Sequence, residues 1–168
     1  MVLVGPDANP LDDPADAAAL RGYATALVEA LDAAIADWVE RVVRQRWVAW
    51  AGEEPPEVVA RAARSAGEEV RAELVPALRV LLATDVDAQR SNPLAVIRRA
   101  VGHPTAVLAD AGMPPVHRDA DAERLFPDDV YDLTPASFAD LDPAVHEPGL
   151  MWGAAKAHVI LRRRRSGR

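Results

Sequence analysis

The sequence predicts an all-α protein: a compact helical bundle with one long N-terminal helix, several short helices opened by proline, and an irregular acidic segment. Three observations predict it. Apolar residues recur three and four positions apart over long stretches, which is the period of a helix face. Proline follows a polar residue at Asp13-Pro14, Asn92-Pro93, His103-Pro104, Thr134-Pro135 and Asp142-Pro143. Proline suits the first helical position because its missing N–H has no partner there anyway. No alternating run of β-branched residues is long enough to compete as a strand.

At 168 residues the chain suits one domain with a single core. The expected organisation is a lead over residues 1–12, a helical domain over 13–161 and a basic tail over 162–168. Gly5, Pro6, Asn9 and Pro10 break any period in the lead. Asp13 can cap the free N–H groups of the first helix. From there Leu20, Tyr23, Leu27, Leu31, Ile35, Trp38, Val42 and Gln45 form one stripe, while Glu29, Asp32, Arg41 and Arg44 fall largely off it. That stripe is heptad-like and would also serve a homodimer, although a stripe facing its own core is the commoner use.

Ala51-Gly52 stops the first helix and Pro55-Pro56 restarts the chain. The second helix opens on a narrow, alanine-rich stripe of Val59, Ala62, Ala63 and Ala66, which close approach to the first helix would explain. Pro76 predicts a kink or an end, with resumption through Leu78 and Leu82. Short helices follow, with Leu94, Ile97 and Val101 inward in one, and Val107 and Leu108 in the next before Gly112. Residues 113–133 read as irregular, yet Leu125, Phe126, Val130, Tyr131 and Leu133 make them too apolar for a disordered tail, so they should lie pinned across the core. A last helix is expected from Leu150, after Pro148-Gly149, into the arginines.

Composition excludes several chemistries. Without cysteine there is no disulfide, thiolate metal site, redox CxxC pair or cysteine nucleophile. No stretch approaches the roughly 18 apolar residues of a membrane span, and the first ten residues lack a signal-peptide pattern. A cytoplasmic location is therefore expected, with no membrane partner. Serines lack GxSxG surroundings, and the glycines are too dispersed for a nucleotide cradle, so no cofactor is expected.

Charge is segregated. Residues 111–150 carry 2 basic and 9 acidic groups, whereas 151–168 carry 6 basic and none acidic, within a net charge of −7. Arg162, Arg163, Arg164 and Arg165 could contact nucleic-acid phosphates in a salt-dependent manner. Against this stands an acidic protein without interleaved aromatics, so a solvated tail, stabilisation of a helix C-terminus by cations, or pairing with the acidic 119–147 region is the leading reading of those arginines. Trp47 and Trp50, three apart near the end of the first helix, would close the core or anchor a partner. His117, Asp119 and Asp121 offer one histidine and alternating carboxylates, the donor types of a divalent-metal site; a solvated acidic loop is the alternative. Asp85, Asp87 and Gln89 most simply serve helix termini. His103, His146 and His158 show no metal-ligand spacing.

The stretch from Asp85 to His158 resembles small uncharacterised proteins of high-GC actinobacteria. Phe126-Pro127-Asp128-Asp129-Val130-Tyr131-Asp132-Leu133-Thr134-Pro135 and Trp152-Gly153-Ala154-Ala155-Lys156-Ala157 carry the likeness. It implies a bacterial, cytoplasmic protein and assigns no catalytic residue. The function expected is that of a non-enzymatic interaction or regulatory protein with an unidentified protein partner. A nucleic-acid- or ribosome-associated factor using Arg162–Arg165 is one alternative. A small metal-dependent enzyme using His117, Asp119 and Asp121 is the other.

Overall fold

The computed structural model describes residues 13–84, 93–134 and 141–167. The lead over 1–12, Asp85, Asp87, Gln89, Asn92, Pro135 and the side chains of Leu94 and Ile97 lie outside the described residues. Within them the order is α1 (Pro14–Ala51), α2 (Glu57–Thr84), α3 (Pro93–Arg99), α4 (Gly102–Asp110), α5 (Ala120–Leu125) and α6 (Pro143–Ser166), and the fold is all-α. No helix there is long and apolar enough to cross a membrane.

The first helix starts and stops where its sequence says. Asp13 caps it, accepting from the amides of Ala15 and Asp16, and Gly52 ends it in the left-handed region at φ 75°. Its buried side runs from Ala17 through Leu27, Leu31, Ile35 and Trp38 to Trp47. This face is wider than one stripe, because α2 packs on one side of α1 and α6 on another. Val43 is buried and Val42 only half-buried, for the same reason. The stripe faces the protein's own core.

Alanines and a glycine bring α2 unusually close to α1. Ala63, Ala66 and Gly67 are buried, and a Cβ added at Gly67 would stand 2.9 Å from the Ala36 carbonyl oxygen. Farther along, Val70, Leu74, Leu78 and Leu82 fill the core where the helices can accommodate bulk. Pro76 lies inside an uninterrupted α2. Both Pro76 and Ala72, whose carbonyl loses its intrahelical donor, are on the exposed side, where water can replace the missing bond. Outside the core, Arg71 Nε donates to Asp32 Oδ1 at 2.6 Å across the same pair of helices.

The helix start expected at Asp142-Pro143 is there, and it opens the last helix itself rather than a separate helix ending before Leu150. Asp142 caps it by accepting from Ala144, Pro143 occupies its first turn, and it continues through Pro148. Proline there costs one hydrogen bond near the helix start. The seam formed by Val145, Gly149, Trp152, Lys156 and Val159 against α1 offsets it. Lys156, the single lysine, lays its ammonium 4.6 Å from the Trp152 ring centroid, so its charge rests on an aromatic face rather than on alkyl groups.

Apart from α5, residues 113–134 are irregular in path, and the segment is well fixed in place. Met113, Tyr131 and Leu133 belong to the main core. Tyr131 Oη donates to the Met113 carbonyl at 2.6 Å, and the Val116 amide donates to the Val130 carbonyl. Arg118 is buried and donates to the carbonyls of Phe126 and Ala122. Buried Asp129 accepts from the amides of Leu133, at 2.6 Å, and Thr134, closing a turn in which Asp132 takes φ 60°. Two arginines of α1 hold the segment's far end: Arg46 donates to the Asp132 carbonyl and Arg41 to that of Leu141. Arg98 covers the Phe126 ring from α3.

Candidate functional site

The arginine cluster is part of α6, which stays helical through Ser166, so residues 162–166 form its last turns rather than a separate tail. Arg162 reaches back to the start of α1. Its Nη2 lies 3.0 Å from Asp13 Oδ2, and its Nη1 lies 3.0 Å from both carboxylate oxygens of Asp16. This cation serves internal pairing, but with Asp13 and Asp16 rather than with the acidic 119–147 region. Arg163, Arg164 and Arg165 are exposed on the final turns.

Asp13 is thereby engaged twice, as a cap and as an ion-pair partner. The amides of Ala15 and Asp16 hold its carboxyl below the ordinary value, and the Arg162 guanidinium adds to the effect. A carboxyl depressed in the folded state stabilises above its unfolded pKa of about 3.9, and that contribution disappears as pH falls through the folded value. We expect Asp13→Ala to lower the melting temperature at pH 7 and to lower it less near pH 2, where protonation removes more of the carboxylate's contribution. Thermal unfolding followed by circular dichroism at the two pH values checks this; an equal difference at both would refute the assignment.

The two tryptophans have different surroundings. Trp47 is buried in the main core, whereas Trp50 is 46% exposed, and their rings meet edge to face at 5.2 Å and 85°. Trp47 thus holds Trp50 in a fixed orientation at the surface. The proposed metal donors are likewise dispersed in role. Asp119 caps α5 by accepting from Ala122, Asp121 pairs with Arg124 at 3.2 Å, and His117 is exposed. Among the described residues no three His, Asp or Glu side chains converge as a metal site. Expected from the sequence to be an irregular acidic loop, this stretch forms α5 instead; the available signal was Asp119 followed by Asp121 and Glu123, a capping residue with acids in the first turn, where the helix dipole favours them.

A groove that sequence reasoning missed lies between α2 and α4. It encloses about 630 Å³ and is lined by Val58, Ala62, Ala66, Ala106, Val107 and Ala111, with Glu69, Arg99, His103 and Asp110 supplying charge or polarity. Small side chains on both helices leave the hollow. Val58, at its end, is 71% exposed although it belongs to a regular helix. His103 bridges the two helices, with Nε2 3.0 Å from Glu73 and Nδ1 3.8 Å from Glu69. The sequence explained His103 only as the residue before Pro104; the two glutamates one turn apart on α2 were the available signal.

Comparison with protein families, with curated proteins and with solved structures gave no match.

Proposed function

We propose that this is a protein-interaction or regulatory protein of the bacterial cytoplasm that binds another protein through the α2–α4 groove. The exposed, alanine-walled groove carries the reading. Apolar surface left open on rigid helices, with charge beside it, suits a partner that inserts bulky apolar side chains and is oriented by Arg99 and Asp110. The absence of cysteine from the sequence fits a reducing compartment. The likeness to small actinobacterial proteins supports the bacterial assignment.

A second reading, nucleic-acid association, draws on the exposed guanidiniums of Arg164 and Arg165 at the end of α6. Phosphate contacts by such a cluster would make binding fall steeply with salt.

One experiment separates the two. The full chain, an Ala62→Arg/Ala106→Arg variant and a chain lacking residues 163–168 are used to capture partners from native bacterial lysate, with and without nuclease. Both alanines are exposed in the groove, so the arginines obstruct it without entering the core. The interaction reading expects a defined protein that survives nuclease, is retained by the shortened chain, and falls at least about tenfold with the groove variant, a loss of roughly 1.4 kcal/mol. Retention that requires nucleic acid and residues 163–168 replaces it with the second reading. Retention indifferent to the groove substitutions removes the groove from the argument.

A further inference from the structure

Helix α6 is apolar on two opposite sides, and the fold covers only one. The seam of Val145, Trp152, Lys156 and Val159 packs on α1. On the reverse side Leu150, Ala154, Ala157 and Leu161 follow at spacings of four, three and four, which places them on one line along a helix. All four are exposed, Leu150 by 58% and Leu161 by 53%. An apolar helix face is ordinarily covered, as the buried sides of α1 are by α2 and α6. By contrast, α2 has a clear solvent face of Arg61, Arg64, Glu68 and Arg71.

We infer that the reverse face of α6 is a self-association surface, on which a second copy of this chain docks its own α6 antiparallel. The residues are arranged for this. In an antiparallel pair related by a two-fold axis between positions 155 and 156, Leu150 faces Leu161 of the second copy and Ala154 faces Ala157. In the same register Glu147 faces Arg164. Glu147 and Arg164 are both exposed, and among the described residues neither has an ion-pair partner within its own chain. One rotation therefore matches apolar with apolar and acid with base at both ends, which is the self-complementarity an isologous interface requires. A parallel pair would instead set Arg164 against Arg164 and Glu147 against Glu147. The alanines keep the middle of the line low, and Gly153 beside it has open space around its Cα, so the helix axes can approach closely.

This surface belongs to α6 and is separate from the α2–α4 groove, so the inference goes beyond the functional reading above and stands or falls independently of it. A contact between two helices of this length lies at the small end of specific interfaces, below about 1,200 Å² in total, so a reversible dimer with a Kd on the order of 10 µM is expected.

Sedimentation equilibrium of the full chain from about 1 µM to 1 mM tests it, since that range brackets such a Kd. The expected result is a monomer–dimer equilibrium that Leu150→Glu and Leu161→Glu each abolish, with helicity by circular dichroism unchanged because both positions are exposed. Glu147→Arg alone and Arg164→Glu alone should each weaken the dimer on the order of tenfold by placing like charges opposite one another. Mixed together, those two single variants should pair with each other at wild-type strength, because each then offers the other a complementary charge at both ends. In a parallel pair the wild type would already set like charges together, so the single variants would weaken it little and their mixture would bind more tightly than wild type. A chain that stays monomeric to 1 mM overturns the inference. So does a dimer indifferent to Leu150→Glu, or a mixture of the charge variants no tighter than either alone.

Discussion

Gly67→Leu should cost at least about 3 kcal/mol, because no part of the α1–α2 contact can yield locally. An added Cβ would meet the Ala36 carbonyl oxygen at 2.9 Å, its Cα at 3.1 Å and its carbonyl carbon at 3.3 Å, all of them backbone atoms of α1. A flexible side chain could swing aside, but a helix backbone moves only as a unit. Separating the helices would loosen Val70, Leu74 and Leu78 in the core cluster they share with Leu27, Leu31 and Ile35, all of them 2% exposed or less. With Gly67→Ala the overpacking of about 1–3 kcal/mol is partly offset by the roughly 1 kcal/mol gained when alanine replaces glycine inside a helix, so the leucine variant is the more decisive. At about 2–4 °C per kcal/mol for a chain of this size, the leucine variant should melt at least about 6 °C lower. Gly22→Ala provides the control. Its Cβ would enter open space, so it should hold or raise the melting temperature. A Gly67→Leu protein melting within about 2 °C of the parent would show that the close approach has no energetic weight.

The other large effect is expected at Asp129. Asp129→Ala leaves the amides of Leu133, which is buried, and Thr134, which is half-buried, without their acceptor. Each buried donor stranded in this way costs about 1–3 kcal/mol, so a total of roughly 2–5 kcal/mol is at stake. The turn already contains Asp132 in the left-handed region, a conformation that persists only where neighbours enforce it. Asp129→Asn should fall between, because one amide oxygen can still accept while its NH₂ group confronts the second donor. Hydrogen exchange distinguishes local from general loss. Protection should drop first at Leu133, Thr134 and Val116, the last because its amide donates to Val130 inside the same segment. Unchanged exchange at Leu133 and Thr134, with an unchanged melting temperature, would overturn the role given to Asp129.

Much of the helical frame was legible, for reasons that differ by element. Asp13-Pro14 and Gly52 bracket α1 because capping is a local matter, settled by side chains within four residues of the end they serve. The alanine-rich opening of α2 was correctly read as a close approach, since a narrow stripe can bury itself only against a near neighbour. The start at Asp142-Pro143 was legible, but the last helix was begun again at Leu150 because Pro148-Gly149 looks like a break when judged locally. Only the burial of Val145 and Gly149 against α1 reverses that judgement. Buried Arg118 and Asp129 were hidden for a related reason: a charged residue in a polar stretch carries no mark that tells a solvated side chain from one bonded to backbone. The groove had no signature at all. It is made by missing bulk on two helices some 40 residues apart in the chain, and a hollow has no residue of its own. The Arg162 pairing with Asp13 and Asp16 spans 146 to 149 positions, beyond any local rule.

That last pairing sets where things can be attached to this molecule. It brings residue 13 and residue 162 to the same pole, so labels placed at those two positions would report almost the same location. The opposite pole, near Trp50 and Gly52, is a full α1 away, about 57 Å for 38 residues at a rise of about 1.5 Å. A protein tethered to a support through a side chain at either position would therefore stand with the exposed Trp50 pointing away from it.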